Sequence, residues 1–444
     1  MFTEVTIEKK SKGFVPNSIL LVLAFSTAFF PRVLDALGVP AAVNFVHFAI
    51  IPLTCGFVLL QSRTKDPKQI AIAQLFFFAI AALLTIITAS AFLNNAGAIN
   101  VILDFLLLGE PFLLLLAIIG IPMSENSQAR FRNWLMGFAI VNLLFAFFQA
   151  FVLQLNITNN ADFIEGVFIG QGSGHVVGGA VSMTFGVYYL TRVQQHPLWM
   201  RLSVMAAVLV HIVVSDTKQV LAIFLASLLI MIFLKGNNIS KFIQYLAIGV
   251  VFITLMVAAA FTVFRALRIW ANVDVQQQGL ELKLSAFPII ISHFHSPLNW
   301  LFGLGPGHTV GRLGGWMIDK YSGLLGPFGV TYTSIGQQVW DVTAASWLGN
   351  KSSWFTPLFG WVGIWGDLGF LGLAAYLCLW WLVWKKLCHT DIPKFFVLTI
   401  LCFGFILSQI EEPGYMLFMA SIIGLCWQEH RLRKIAERES AIDY

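Results

Sequence analysis

The feature that most constrains this chain is a repeated one. Apolar runs of about 20 residues, each long enough to cross roughly 30 Å of hydrocarbon, follow one another along nearly the whole length. A backbone in lipid must satisfy its own hydrogen bonds, so these runs read as helices. The expected spans are 14–36, 41–60, 69–93, 98–121, 133–155, 175–190, 200–214, 219–234, 242–264, 355–384, 394–410 and 414–428. Only 11% of the 444 residues are charged, against roughly 25% in an average soluble domain. The expected fold class is therefore an all-α polytopic membrane protein with about twelve transmembrane helices.

Lysine and arginine alternate between connections as the positive-inside rule asks. Lys9, Lys10 and Lys12 precede the first run. Every second connection then carries cations: Arg63, Lys65 and Lys68; Arg130 and Arg132; Arg192 and Arg201; Lys235 and Lys241; Lys385 and Lys386. Arg431, Arg433, Lys434 and Arg438 close the series. Both termini are thus expected in the cytoplasm. The chain divides into a nine-helix membrane region (1–264), one large extracytoplasmic loop with short surface helices (265–354), three C-terminal membrane helices (355–428) and a basic cytoplasmic tail (429–444).

The net charge of +5 lies largely in these flanks, which suits contact with anionic membrane lipids and not nucleic acid. "MFTEVTIEKKSKGF" leads into a run without a small-residue cleavage site, so the first helix is expected to anchor the chain. Cys55, Cys378, Cys402 and Cys426 fall in apolar spans and Cys388 in a turn, with no CxxC and no zinc-like Cys/His spacing. Neither disulfides, nor a metal, nor a cofactor is expected.

Polar chemistry gathers in four places on the expected outer side. In "GQGSGHVVGG" the glycines permit close helix approach, and the alternative is a cavity faced by His175. In "HIVVSDTKQVLAIF" Lys218 opens a helix, where a cation opposes the helix dipole. It is either an interface lysine paired with Asp216 or a cation aimed at a lipid-borne phosphate. Arg265 and Arg268 lie just outside the ninth span, as interface anchors or ligand contacts, and an apolar stretch around Pro288, too short to span, suggests a surface helix with Lys283 near its start. Finally "NWLFGLGPGHTVGRLGGW" places Gly303, Gly305 and Gly307 beside His308 and Arg312. It matches neither GxGxxG nor a P-loop in context, and is either a set of turns or an anion-binding nest of backbone N–H groups.

Taken as an ordered set, "KLSAFPIIISHFHSPLNWLFGLGPG" followed by "GDLGFLGLAAY", downstream of a Ser-x-Thr-basic turn, resembles the O-antigen ligase and O-antigen polymerase superfamily of bacterial integral-membrane glycosyltransferases, over roughly residues 130–430. The resemblance implies a plasma-membrane enzyme, without a metal ion, that takes a polyprenyl-pyrophosphate-linked glycan donor, a glycan or lipid acceptor, and polysaccharide assembly and export proteins as partners. It implies inverting transfer, with outer-face cations holding the pyrophosphate. By position those cations fall on Lys218 and on Lys283, fourteen residues before Pro297. Lysine keeps the charge but loses the bidentate fork of arginine, which Arg265, Arg268 or Arg312 would restore.

The histidine that ligases of the family carry before the "GDLGFLG" helix is absent here: the segment reads "GNKSSWFTPLFGWVGIWGDLGFLG". Polymerisation of a lipid-linked repeat, in O-antigen, capsule or exopolysaccharide assembly, is therefore favoured over ligation. An acceptor hydroxyl must lose a proton to a neutral His or a carboxylate, and His308, then Asp367, are the candidates. Trp300, Trp316, Tyr321, Tyr332, Gln337, Gln338 and Trp340 offer surfaces for a sugar, or form an interfacial aromatic belt. The opposing expectation is a transporter or flippase, from Asp104 and Glu110 in the fourth span beside a Pro111 expected to break it; a non-catalytic assembly scaffold is a third class.

Overall fold

The computed structural model describes residues 16–442 except 63, 65, 159–160, 171–172, 352, 358 and most of 236–271. The described residues are helical, with no strand among them. The helices used below are α1 (Asn17–Phe29), α2 (Pro31–Ala36), α3 (His47–Gln61), α4 (Pro67–Asn94), α5 (Ala98–Gly120), α6 (Glu125–Phe147), α7 (Gly174–Arg192), α8 (Leu198–Val214) and α9 (Lys218–Leu234). They continue as α10 (Val273–Leu284), α11 (Ala286–Ser292), α12 (Pro297–Phe302), α13 (Ile335–Ala345), α14 (Phe359–Leu382), α15 (Asp391–Phe403) and α16 (Pro413–Ile442). Helices occupy the places of the expected spans, apart from 242–264, most of which lies outside the described residues together with Arg265 and Arg268.

Among the described residues, five helical stretches are long and apolar enough to cross a membrane: Ala41–Gln61, Pro67–Asn94, Ala98–Gly120, Glu125–Val152 and Phe359–Leu387. α1, α8 and α9 are apolar but shorter. The exposed faces support a bilayer as solvent. On α4, Phe77, Phe78 and Phe92 point outward at 60, 67 and 82% exposure, a pattern that costs little in lipid and much in water.

The core is built round two helices that are buried on nearly every side along their apolar lengths, which is how a central helix reads. α16 is buried continuously from Tyr415 to Trp427 and packs on α5. Gly424 lets them close up, since a Cβ there would sit 2.7 Å from Ile118. The last carbonyls of α5 have no partner within the helix, and side chains supply one. The Gln428 amide donates to the Ile118 and Ile121 carbonyls at 2.6 and 2.8 Å, and the Gln69 amide reaches Ile119. α5 runs unbroken through Pro111, contrary to the expected break, and Glu110 pairs with His47 of α3 at 2.9 Å.

The short helices of 273–351 pack onto one end of this bundle, against α4, α5 and α14. The alternation of cations read from the sequence leads to the expectation that this end faces outside. In a cysteine-free background, Tyr332→Cys should label with an impermeant maleimide in intact cells, and Ser440→Cys only after the membrane is opened. Equal labelling of both in intact cells would contradict this orientation.

Candidate functional site

α14 is interrupted. At Gly369 the backbone leaves the helix (φ 65, ψ −166), which only glycine adopts without strain, and neighbouring carbonyls lose their intrahelical donors. The segment after α12 fills the gap: Leu304 N–H donates to Gly366 O at 2.8 Å and Gly305 N–H to Asp367 O at 3.0 Å. The two backbones touch, because a Cβ at Gly303 would lie 2.4 Å from the Asp367 carbonyl carbon, and one at Gly369 2.3 Å from that of Leu301. The two stretches that carried the resemblance, "PLNWLFGLGPG" and "GDLGFLGL", thus interlock.

The Asp367 carboxylate completes the joint. One oxygen accepts the Thr309 N–H (2.7 Å) and hydroxyl (2.6 Å), the other the Gly307 N–H (3.0 Å). The glycine loop does form a nest of backbone donors, and this side chain fills it from within the chain. Asn94 donates to Gly303 O, and Asn100 to Pro306 O and Thr331 O. His308 is committed as well. Its Nδ1–H donates to Leu304 O (2.9 Å), which leaves Nε2 to accept the Thr331 hydroxyl (2.8 Å), and burial lowers its pKa. Both candidates for proton transfer therefore hold the loop in place.

What the loop positions is Arg312. Its guanidinium, 6% exposed, pairs with Glu412 and lies 4.7 Å from the Trp316 ring centre, while its Nε has no partner. Its N–H donates to Glu411 at 2.6 Å. Lys320 lies over the same Trp316 ring at 5.6 Å and over Tyr321 at 5.8 Å. The Tyr321 hydroxyl accepts from Arg32 of α2 at 2.6 Å. Three cations thus share two aromatic rings, an arrangement cation–π attraction supports and mutual repulsion opposes.

Glu165 lies next to them. Lys320 Nζ donates to Gly170 O (2.6 Å), and the Gly170 N–H donates to the Glu165 carboxylate (2.7 Å). Burial raises Glu165 to about 7, against the pull of that N–H, Arg32 and Lys320. The glycines of "GQGSGHVVGG" serve this corner: a Cβ at Gly178 would sit 2.6 Å from Glu165 O, so they admit a loop where helix packing was one expectation. His175, 3% exposed, lies 3.6 Å from Asp162, and Lys218 pairs with Asp216 at 2.5 Å. The charges of Asp162, Asp216 and Lys218 all act on His175, and that of Asp162 also on Glu165.

Lys283 is placed differently. Its ammonium donates to Thr356 O at 3.4 Å and lies 5.9 Å from the Trp354 ring centre, and burial lowers it to about 8. The partners seen for Lys218 and Lys283 are not shared. Among the aromatic residues, Trp316 and Tyr321 belong to the cation cluster, Trp300 stacks on Phe370, and Trp340 donates to Gly315 O. No group of His, Cys, Asp and Glu among the described residues has the geometry of a metal site. Arg32, Lys320, Glu165, Glu411 and Glu412 were not singled out from sequence; an arginine inside "FFPRVL" and paired glutamates in "QIEEPG" were the available signals.

If the Asp367 carboxylate holds the loop, Asp367→Asn and Thr309→Val should each lower the thermal midpoint in detergent. Their effects should couple by about 1–3 kcal/mol in a double-mutant cycle; strict additivity would show that the contact carries no stability. Comparison with known proteins adds no relative: no family model matches the chain and no curated protein is similar to it.

Proposed function

We propose that the chain is a bacterial plasma-membrane polymerase or transferase that acts on polyprenyl-pyrophosphate-linked oligosaccharides at the outer face, in O-antigen, capsule or exopolysaccharide assembly. The proposal includes twelve spans with both termini cytoplasmic. The observation that carries it is the gathering of Arg32, Arg312 and Lys320 over Trp316 and Tyr321 beside Glu165. Guanidinium groups suit a pyrophosphate because their forked donors match its oxygens. Aromatic faces and interleaved carboxylates suit a sugar.

In the transfer, an acceptor hydroxyl oxygen attacks the anomeric carbon from the side opposite the pyrophosphate. The anomeric C–O bond breaks, its electron pair leaves with the pyrophosphate, and the cations, of which Arg32 and Arg312 are buried, stabilise that charge. The hydroxyl proton passes to Glu165. A base is most effective with a pKa close to the operating pH, which is where burial places this carboxyl.

Two tests follow. Bacteria lacking the protein should carry surface glycans of single repeats; free lipid-linked long chains would indicate a ligase instead. A second reading, a flippase, is favoured by one observation: Asp104 in α5 is 3% exposed and one of its oxygens has no partner. Repeats trapped on the cytoplasmic side would support it. For the chemistry, Glu165 must be deprotonated to act, so the rate should fall as pH drops through about 7. Glu165→Gln should reduce it about 10²–10⁴-fold and abolish that limb. An unaltered pH profile in Glu165→Gln would remove the residue from the reaction.

A further inference from the structure

A second polar site lies at the far end of α16, and nothing in the proposed reaction uses it. A cavity of about 340 Å³ opens between α6, the end of α7 and α16, within the range of small-molecule sites, roughly 300–1,000 Å³. Arg132, Arg192 and Arg433 line it, with Gln194 at its edge and Glu125 and Glu429 as the acidic residues. Three cations against two carboxylates leave one positive charge unbalanced.

Glu429 organises the arginines. Its two oxygens take Arg192 at 2.7 Å and Arg132 at 3.5 Å, and Tyr188 donates to it at 3.3 Å. A guanidinium has five N–H donors in a fixed fork. One carboxylate therefore fixes two forks side by side and leaves most of their donors unspent, apart from an Arg192 contact with Cys426. Arg433 stands exposed at the rim, bound weakly to Glu429 O at 3.5 Å. Neighbouring, partly desolvated guanidinium groups with surplus positive charge suit the recognition of tetrahedral oxyanions.

We propose that this cavity binds a phosphate-bearing anion, carried either by a soluble phosphate compound or by an anionic lipid headgroup. The site does not depend on the transferase reading. From Pro413, next to Glu412, to Glu429 a straight helix rises about 24 Å, so the two sites are well separated along α16.

The test uses the full chain in neutral detergent and reads its thermal midpoint. Both arms use an Arg312→Ala background, so that the cluster proposed for the transferase reaction does not report: one titrates sodium pyrophosphate at constant ionic strength, the other phosphatidylglycerol against phosphatidylcholine. A saturable rise is expected in at least one arm, with half-saturation about tenfold higher in Arg433→Ala and in Arg132→Gln. Arg433 is exposed, and the amide introduced by Arg132→Gln retains a donor for Glu429, so both variants should fold. A response to pyrophosphate alone assigns a soluble phosphate, one to phosphatidylglycerol alone a headgroup, and one to both the phosphate group whatever its carrier. No saturable response in either arm, or unchanged half-saturation in either variant, overturns the proposal.

Discussion

The organisation of the loop face depends on a helix that breaks inside an apolar bundle. Carbonyls freed by the break at Gly369 have little water to turn to, and an unpaired buried carbonyl is costly. The segment 303–309 supplies the missing N–H groups, and the Asp367 side chain accepts what that segment has left over. Each element satisfies the other, so neither the broken helix nor the glycine loop is stable in this form alone. Asn94, Asn100 and Ser90 then tie the joint to α4 and α5.

From that joint the chain runs directly to Arg312, and this is why a buried guanidinium can be held close to Arg32 and Lys320. Burying an ion pair rarely contributes net stability, because the desolvation of both partners offsets their attraction. The unpaired Nε of Arg312 and the unpaired oxygens of Glu411 and Glu412 add to that cost. Such a cluster is better explained by what it binds than by what it stabilises, and perturbed groups gathered at one place are the usual mark of a working site.

The helical class was legible because lipid permits few alternatives, and the helix positions followed from apolar runs alone. Asp367, His308, Arg312, Trp316 and Tyr321 also stood out, as polar or aromatic residues in motifs with many glycines. Their roles did not. Whether a carboxylate is a base or an anchor depends on what donates to it, and the donors to Asp367 come from 58 and 60 residues away. Arg32 looked like part of the first apolar run because, besides Asp35 three residues on, the hydroxyl that it binds, that of Tyr321, is 289 residues distant. Glu165 sat in an ordinary loop, where only burial gives it a distinctive character. Local periodicity is written in neighbouring residues, whereas a binding site is made by long-range contacts.

The central claim is that the cluster of Arg32, Arg312 and Lys320 receives the pyrophosphate of a polyprenyl-linked donor. It is tested most directly by comparing the binding of farnesyl pyrophosphate and of farnesol to the purified chain, and again to Arg312→Ala. The pyrophosphate should bind at least about tenfold more tightly than the alcohol, and Arg312→Ala should remove most of that difference. Equal affinity for the two compounds, or a preference that survives Arg312→Ala intact, would contradict it.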